Sequence, residues 1–355
     1  MRFEALRIAD IRQETADTIS VAFAVPDDQQ SRFAYQPGQY LTLRAHLAGE
    51  ELRRSYSICS GLNDGELRVA IKRADDGQFS AWAHGALRVG DAVDVMPPAG
   101  RFGVAIEPNA ARTILGVAAG SGITPILAIL KSVLSQEPRS RFVLLYGSRA
   151  TGQIIFREQL EELKDRFMGR LSVVHVLSRE QQDVPVLNGR LHGAKVRLLL
   201  GGLAAIPAID HALLCGPASM IDEVRAVLAD SGMDGDRIHS ERFTPSTPAA
   251  ARIYKPRPAA EPPHAVATII ADGVRTDIAI GTDETVLEAA LRAGLDLPYS
   301  CRGGMCSTCR ARVTGGSVQM DVNYALEPWE TAAGYVLTCQ ARPTTDRLTV
   351  DYDHV

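Results

Sequence analysis

Short runs of alternating apolar and polar residues fill the first hundred positions of the chain. These runs are rich in β-branched and aromatic residues, and turn sequences such as PGQ, NDGE and VGD separate them. They span residues 18–26, 39–47, 54–60, 66–74 and 91–98. Evenly spaced short strands of this kind are typical of a small antiparallel barrel. We therefore predict an antiparallel β-barrel domain over residues 1–106.

From about Ala111 the pattern changes to apolar runs that alternate with amphipathic stretches of helical period. The run ARTILGVAAG precedes a Gly-rich turn and the stretch PILAILKSVLSQ, and further strand–helix pairs follow. Strands that alternate with helices indicate a parallel sheet covered on both faces. We therefore predict an α/β parallel-sheet domain over residues 107–243.

The composition changes again at residues 244–264, which contain six prolines and few large apolar side chains. Such a segment favours a semi-rigid extended linker. Residues 265–355 then show strand patterns near both ends and the helical stretch ETVLEAALRAG, which predicts a small α+β domain. This domain has twelve Asp and Glu against seven Arg, a net charge of −5.

The overall composition is that of an ordinary globular protein of 355 residues, 46% hydrophobic and 23% charged. The net charge of −4 argues against nucleic acid as a partner, because nucleic-acid-binding domains usually present a basic surface. No apolar run of about 18 residues could span a membrane, and the charged start lacks the apolar core of a secretory signal. We expect a cytoplasmic protein with no membrane contact.

Four of the six cysteines lie near the C-terminus with the spacing Cys301-x4-Cys306-x2-Cys309, followed by Cys339. A [2Fe–2S] cluster needs four thiolates, and the x4 and x2 spacings match the plant-type ferredoxin loop. The glycines of CRGGMCSTC allow the backbone to fold around a cluster. A structural zinc site is the alternative, although zinc sites usually combine two short Cys-x2–4-Cys pairs.

The segment GSGITP at 120–125 follows a predicted buried strand and opens a predicted helix. Glycines let a diphosphate approach the backbone, and a helix N-terminus supplies free N–H groups and a positive dipole end. The third glycine of G-x-G-x-x-G is absent, so this is not a standard Rossmann turn. A purely structural turn is the alternative. The candidate cofactor-binding residues are Gly120, Gly122, Thr124 and Pro125.

Two barrel segments carry a third signal. In RSYS, Arg54 is suited to hold a phosphate, Tyr56 to lie on a flat ring, and Ser55 and Ser57 to hydrogen-bond a ring edge. The segments AIKR and GQFS then add cations and a glycine turn. Singly, each is typical of an ordinary strand or hairpin, but together they indicate a site. The candidates in the later segments are Ala70, Ile71, Lys72, Gly77, Gln78, Phe79 and Ser80.

Together these motifs resemble the ferredoxin–NADP reductase superfamily over residues 1–243, fused to a plant-type ferredoxin domain of β-grasp fold. The resemblance implies that Arg54 meets the diphosphate of a flavin, Tyr56 packs on its isoalloxazine ring and Ser57 lies near its reactive edge. The loop Gly77–Ser80 would cap the diphosphate.

The same resemblance extends to the nicotinamide side. Gly120–Pro125 is similar to the family's nicotinamide-nucleotide loop, and Cys215-Gly216-Pro217 to its C-G-P element beside the nicotinamide ring. Phe243 falls where the family often has an aromatic residue over the second flavin face. The implied catalytic residues are Ser57 and Cys215. Flavin accepts hydride and releases single electrons, as transfer from a nicotinamide to a [2Fe–2S] cluster requires.

The coenzyme and the flavin are interpreted from nearby residues. The second strand of the α/β domain ends in YGSRAT, where an acidic residue would bond the ribose of NADH and cations would accommodate a 2′-phosphate. Ser148 and Arg149 stand there instead of a carboxylate, which predicts NADPH; a merely solvated Arg149 is the alternative. The groups between Lys72 and Ser80 suit a diphosphate, which favours FAD over FMN.

The domain order flavin, nicotinamide, iron–sulfur is that of oxygenase reductases. The segments DVMPPAGRF and HSERF and the cysteine-rich tail resemble the reductase subunits of phenylacetyl-CoA epoxidase complexes. This implies a di-iron oxygenase component as the protein partner, and the acidic last domain predicts a basic docking patch on it. The alternatives are a reductase for a ring-hydroxylating dioxygenase, another monooxygenase or a hybrid-cluster protein, and a zinc-binding adaptor.

Overall fold

A computed structural model describes residues 3–243 and 264–354. The chain divides into two compact units, and these two ranges represent one unit each. Apart from His264, the predicted linker at 244–264 lies outside the described residues. Each unit is described below by itself.

The first unit begins with six antiparallel strands and a short helix. These are β1 Glu4–Thr15, β2 Thr18–Ala24, β3 Tyr40–Leu47, β4 Glu50–Ser57, β5 Leu67–Lys72, α1 Gln78–Ala86 and β6 Ala92–Val95. The strand order is β4-β3-β6-β1-β2-β5, and a bridge between Ile58 and Val69 joins the outer strands. The sheet therefore closes into the predicted barrel around one apolar core.

Strand β1 and helix α1 were not predicted from the sequence. Strand β1 is rich in charged residues, but Leu6 and Ile8 alternate with exposed Arg7 and are buried in the barrel. Alternation of this kind is what a strand with one buried face requires. Helix α1 begins in the GQFS segment, which the sequence presents as a turn, because Phe79 and Ala83 pack into the same core.

The rest of the first unit is a five-stranded parallel sheet with helices. Its elements are β7 Thr113–Ala119, α2 Ile123–Gln136, β8 Arg141–Ser148, α3 Arg157–Arg166, β9 Leu171–Leu177, α4 Gly193–Leu200, β10 His211–Gly216, α5 Ala218–Asp230 and β11 Ile238–Arg242. The strand order is β11-β10-β7-β8-β9. The order reverses between β7 and β10, and ligands of such sheets bind at this switch point.

Helix α2 is buried on nearly all sides, with 12 of its 14 residues inside the protein. One side packs on the sheet and the other on the barrel, so Cys59, Ala70 and Phe102 of the barrel share its apolar core. Gly38 and Gly103 let two barrel-side segments approach each other, since a Cβ at Gly38 would clash with the Phe102 carbonyl and one at Gly103 would lie 2.7 Å from that of Pro37; the Ile129 side chain of α2 lies beside both glycines. The helix therefore joins the barrel and the sheet into one unit.

A buried ion pair follows the end of α2. The carboxylate of Glu137 is fully buried and accepts hydrogen bonds from Arg112 at 2.6 and 3.1 Å, the Ser140 hydroxyl at 2.7 Å and the Glu107 N–H at 3.0 Å. Burial alone would raise its pKa, but these donors together lower it. The network attaches the segment between the barrel and the sheet to the end of α2.

The second unit is a mixed sheet with two short helices. Its elements are β12 Ala265–Ala271, β13 Val274–Ile280, α6 Val286–Arg292, β14 Arg310–Gly315, β15 Val318–Met320, α7 Pro328–Ala332, β16 Tyr335–Leu337, β17 Ala341–Pro343 and β18 Arg347–Asp351. The main sheet has the order β13-β12-β18-β14-β16, with β12 and β18 parallel.

Helix α6 begins with a capping box, in which Thr285 and Glu288 satisfy each other's backbone N–H groups. Its apolar residues pack into the core of the sheet, as in the β-grasp fold expected for this domain. The chain from 293 to 309 forms neither helix nor strand and carries three of the four clustered cysteines. Among the described residues, no helix has the length and apolar character needed to cross a membrane.

Replacing Glu137 by Ala is expected to lower the free energy of unfolding of the first unit by about 3–5 kcal/mol, because Arg112 would stay buried without its partner. Urea unfolding of the full chain, followed by flavin release, measures this. The exposed pair Arg157–Glu161 is the control, and Glu161→Ala should cost less than about 1 kcal/mol. Equal losses for both variants would contradict the prediction.

Candidate cofactor sites

Strand β4 carries the first predicted flavin residues. Arg54 and Tyr56 share one face of the strand because side chains alternate, and Arg54 is exposed while its guanidinium donates to the Arg53 carbonyl at 2.8 Å. The Tyr56 ring lies 5.7 Å from that of Phe79, and burial raises the pKa of its hydroxyl. On the other face, the Ser55 hydroxyl lies 3.2 Å from that of Thr42.

The turn before α1 supplies backbone donors. Ser80 accepts from the Ala74 N–H at 3.1 Å and donates to the Gly77 carbonyl at 3.0 Å, so its hydroxyl holds the turn itself. No side chain caps the first turn of α1. Helix α1 begins at Gln78. The free N–H groups at its N-terminus fit the predicted contact with an anionic diphosphate.

Three predicted flavin residues have buried side chains: those of Ile71 and Phe79 lie in the barrel core, and that of Ala70 lies in the core shared with α2. Ala70, Ile71 and Phe79 are buried, and Phe79 also packs edge-on against Trp82 at 5.2 Å. Only the backbone of these residues is available to a cofactor. Lys72 differs, because it extends to the nucleotide cavity described next and pairs with Asp17 at 3.3 Å.

A cavity of about 480 Å³ lies at the switch point of the parallel sheet. Two helix N-termini meet it, since Gly120–Gly122 precede α2 and Gly216 and Pro217 precede α5. Gly120 has a φ of +55° with open space around its Cα, and a Cβ at Gly122 would lie 2.2 Å from the Cys215 carbonyl oxygen. Glycine is therefore required at Gly122, and Gly120 leaves room for a diphosphate.

Side chains around this turn hold its shape. The Tyr146 hydroxyl donates to the Gly120 carbonyl at 3.0 Å, and the Thr124 hydroxyl donates to the Ser121 carbonyl at 2.9 Å. Pro125 is buried in the first turn of α2, where its missing N–H is no loss. Thr124 and Pro125 thus shape the turn from behind rather than line the cavity.

The charged residues that line the cavity are all basic. They are Lys72, Arg149, Arg179 and Arg190, and within the described ranges no Asp or Glu lines the cavity with them. Arg149 and Arg179 follow neighbouring strands, and the Arg179 N–H donates to the Arg149 carbonyl at 2.7 Å. Ser148 also lines the cavity, and its side chain is buried. This set fits an anionic ligand.

Arg179 and Arg190 were not among the residues that the sequence singled out. A signal for Arg179 was present, because the dipeptide Ser-Arg stands at the end of both strands: Ser148 is the last residue of β8, and Ser178 directly follows β9. Parallel strands end at the same edge of a sheet, so Ser178-Arg179 is expected to lie beside Ser148 and Arg149. No comparable signal marks Arg190.

Ser57, Cys215 and Glu241 meet between the barrel and the sheet. Cys215 pairs with Glu241 in the register of β10 and β11, and the buried Ser57 hydroxyl donates to the Glu241 carboxylate at 3.4 Å. Burial raises the pKa of Glu241 to about 8, although the bond from Ser57 opposes the shift. Burial and the nearby Glu241 carboxylate raise the pKa of the fully buried Cys215 thiol.

Glu241 was absent from the predicted site residues, and the carboxylate in HSERF was its only signal. Cys215 lies in the core shared with α2, whereas its neighbours Gly216 and Pro217 line the cavity. Phe243, which is 39% exposed, lines the same cavity. The structure thus brings Gly216, Pro217 and Phe243 to one cavity, with the Cys215 thiol beneath its surface.

The four clustered cysteines form two sulfur pairs. The Cys306 thiol donates to Cys301, and Cys309 pairs with Cys339 in the same way. The hydrogen bond from Cys306 and the N–H groups of Gly303 and Met305, each 3.4 Å from the Cys301 sulfur, lower the pKa of Cys301.

Further donors reach the other sulfurs. The Thr308 hydroxyl lies 3.2 Å from the Cys306 sulfur and the Gln340 amide 3.7 Å from that of Cys339. Within 3–243 and 264–354, no three His, Cys, Asp or Glu side chains are placed to hold one metal ion. Two thiol pairs fit the two irons of a [2Fe–2S] cluster, each with two thiolate ligands.

A flavin-type barrel, a nucleotide-binding sheet and a ferredoxin-type domain define an electron-transfer oxidoreductase. Family models agree with this assignment. "Oxidoreductase FAD-binding domain" matches residues 5–103, "Oxidoreductase NAD-binding domain" matches 117–226, and "2Fe-2S iron-sulfur cluster binding domain" matches 269–344. The cofactors are therefore FAD, a nicotinamide nucleotide and a [2Fe–2S] cluster, and the zinc-adaptor alternative is wrong.

Similar proteins extend over the whole chain. It is 43% identical to a subunit of the 1,2-phenylacetyl-CoA epoxidase of Escherichia coli K12, over 99% of this chain and 98% of the relative. It is 35% identical to the ferredoxin reductase component of 3-ketosteroid-9-alpha-monooxygenase of Rhodococcus rhodochrous, over 98% and 96%. Phthalate dioxygenase reductase has a similar fold, with a TM-score of 0.60 at 23% identity, over 98% of each chain.

The chain therefore belongs to the family of NAD(P)H-dependent flavin and iron–sulfur reductases that includes this subunit of the phenylacetyl-CoA epoxidase. The resemblance drawn from its motifs is confirmed, as are the three fold types and the set of cofactors. In this family, electrons pass from NAD(P)H through FAD and the [2Fe–2S] cluster to an oxygenase.

Glu241 is expected to make the stability of the first unit depend on pH. Its folded pKa of about 8 lies above the ordinary 4.5, so the unit is stabilised while the carboxyl is protonated. This contribution is lost as the pH rises from about 4.5 to about 8. Melting temperatures of wild type and Glu241→Gln, measured from about pH 6 to about pH 9, test this.

The wild-type melting temperature should fall relative to that of Glu241→Gln across this range. His239 does not interfere, because burial and neighbouring His211 lower its pKa to about 4. Parallel curves for the two proteins would show that Glu241 is already ionised at neutral pH.

Proposed function

We propose that this protein is an NADPH-dependent reductase that delivers electrons through FAD and a [2Fe–2S] cluster to a di-iron oxygenase that epoxidises phenylacetyl-CoA. The observation that carries the acceptor is the 43% identity, over nearly both full lengths, to a protein named as a subunit of that epoxidase. We further propose the domain boundaries 1–106, 107–243 and 265–355, and a cytoplasmic location.

The barrel residues would bind and orient FAD. The exposed Arg54 and the free N–H groups at the start of α1 suit its diphosphate, and Tyr56 supplies an aromatic surface for its ring. Ser57 would lie beside the reactive edge, where its hydroxyl can exchange a hydrogen bond with Glu241. FAD, when bound, accepts a hydride and passes electrons on singly.

The basic cavity would bind the nucleotide. The two helix N-termini and the open turn at Gly120 suit its diphosphate. Arg149 and Arg179 lie at the C-terminal ends of β8 and β9. In this type of fold, that edge of the sheet is near the place that distinguishes the two coenzymes. The absence of acidic side chains from the cavity, among the residues that the structure describes, supports NADPH. Phe243, at the edge of the same cavity, would face the flavin.

Replacing Arg149 by Glu should raise the KM for NADPH at least about tenfold, because a charge-assisted hydrogen bond to the 2′-phosphate would become a repulsion. The KM for NADH should change little. Steady-state reduction of an artificial one-electron acceptor measures both constants. The control is Arg157→Glu, which alters an exposed arginine outside the cavity. An unchanged NADPH-to-NADH preference in Arg149→Glu would contradict the assignment.

The acceptor is tested by reconstitution with the di-iron component of a phenylacetyl-CoA epoxidase. NADPH oxidation should become coupled to epoxide formation, at a rate that falls as salt increases, because the last domain carries a net charge of −5. Cys339→Ser is the matched variant. Loss of one cluster ligand should abolish epoxide formation while NADPH still bleaches the flavin.

A second acceptor class is favoured by the 35% identity to a steroid monooxygenase reductase component. Parallel reconstitution with that kind of oxygenase separates the two. Faster coupled turnover with the steroid oxygenase than with the epoxidase would overturn the proposed acceptor and leave the reductase assignment intact.

A further inference from the structure

The loop at 60–65 connects the two strands that carry predicted flavin residues. Strand β4 ends at Ser57 before it, and β5 begins at Leu67 after it. This loop contacts the C-terminal half of α2, the helix whose N-terminal end follows the nucleotide-binding turn. The barrel and the parallel-sheet domain therefore contact each other in two places, at the cofactor sites and at this loop.

An ion pair between a buried lysine and a partly exposed aspartate makes this second contact. The Lys131 ammonium of α2 donates to the Asp64 carboxylate at 2.7 Å, and the same carboxylate oxygen accepts from the Gly61 N–H at 2.9 Å. Lys131 is only 9% exposed. A charged group at such a depth is stable only with a partner, so Asp64 fixes where the helix can lie.

Two backbone contacts make the fit close. A Cβ at Gly61 would come within 2.7 Å of the Lys131 Cβ, so only glycine lets the loop approach the helix this far. The Leu62 N–H donates to the Ser132 hydroxyl at 3.1 Å. Ser132 is completely buried and also donates to the Ala128 carbonyl at 2.7 Å. Gly61, Leu62 and Asp64 of the loop are thus matched to one turn of α2.

A shift at Lys131 would reach the nucleotide turn because α2 is one continuous helix of 14 residues, 12 of them buried in a packed core. Closely packed helices move as bodies rather than deform locally. Gly122, at the start of the helix, packs against the Cys215 backbone and lines the cavity. Hydride transfer depends steeply on the distance between the reacting atoms, and a misplacement of about 1 Å can cost about a hundredfold.

We propose that Asp64 and Lys131 are positioning residues for hydride transfer: their contact sets the nucleotide-binding turn relative to the flavin-binding strands. This inference rests on the proposed reduction of FAD by NADPH. It assigns the pair a task beyond stability, although neither side chain lines the nucleotide cavity.

The barrel offers a matched ion pair for comparison. Asp94 of β6 accepts from Arg44 of β3 at 2.9 and 3.1 Å. Their side chains are 34% and 21% exposed, against 28% and 9% for Asp64 and Lys131. Both partners belong to the barrel, so Asp94→Asn removes a similar ion pair without touching α2.

The experiment uses the full chain loaded with FAD and cluster, as wild type, Asp64→Asn, Lys131→Arg and Asp94→Asn. Stopped-flow absorbance gives the rate of flavin reduction at saturating NADPH. The charge-transfer band between the nicotinamide and the flavin reports their stacking, calorimetry gives the dissociation constant of NADP⁺, and melting temperatures report stability.

Asp64→Asn should reduce flavin at least about tenfold more slowly and weaken the charge-transfer band, while the dissociation constant of NADP⁺ changes less than about threefold. Lys131→Arg should keep most of the rate because it keeps the charge pair. Asp94→Asn should reduce flavin at the wild-type rate. If Asp64→Asn does not retain FAD, Ser132→Ala replaces it, with a smaller loss of rate expected.

Equal rates of reduction in wild type and Asp64→Asn would overturn the inference and leave the proposed function in place. So would equal losses of rate in Asp64→Asn and Asp94→Asn, since stability alone would then account for both. Failure of NADPH to reduce the wild-type flavin would instead overturn the proposed function.

Discussion

The packing of α2 between the parallel sheet and the barrel is the constraint on which the cofactor sites depend. A helix buried on both sides packs against two surfaces at once. Neither surface can therefore shift relative to the other without disturbing that packing. The turn that precedes α2, Gly120–Gly122, lines the nucleotide cavity, and the later turns of α2 contact the barrel through Ile129 and Lys131. The geometry between the flavin and nucleotide sites is thereby built into one core. Gly61 permits this approach, because a Cβ there would lie 2.7 Å from the Lys131 Cβ.

The nucleotide cavity and the ferredoxin-type unit, at the two ends of the electron path, carry charge of opposite sign. The nucleotide cavity combines basic side chains with two helix N-termini, all of which favour a polyanion. The carboxyl at the flavin side, Glu241, has its pKa raised to about 8 by burial, so at neutral pH it adds little negative charge beside an anionic cofactor. The ferredoxin-type unit has the opposite character, with a net charge of −5 over residues 265–355. The nucleotide cavity is thus suited to an anion, whereas the second unit has a net negative charge.

The cysteine loop shows why a segment without regular structure is useful here. In a helix or strand the backbone N–H groups would bond to carbonyls, whereas in this loop those of Gly303 and Met305 are directed at the Cys301 sulfur. Donors of this kind stabilise a thiolate, the form that binds iron. Positive φ angles at Arg302, Gly304 and Ser307 let the chain turn tightly enough to do so. The surrounding sheet and α6 hold the ends of the loop in place.

The sequence by itself determined the cofactor chemistry, because cysteine spacing, the GSGITP turn and the RSYS strand are each local features whose geometry follows from a few adjacent residues. It also determined the three fold types, which depend on periodicity along the chain. Only the tertiary structure decided which distant residues join these motifs: Arg190 in the cavity, Glu241 beside Ser57, and Asp64 against Lys131. It also showed that Ile71, Phe79 and Cys215 have side chains in the core. Contacts between residues far apart depend on how strands order themselves in a sheet and how a helix packs between two surfaces, and no local pattern in the chain carries that information.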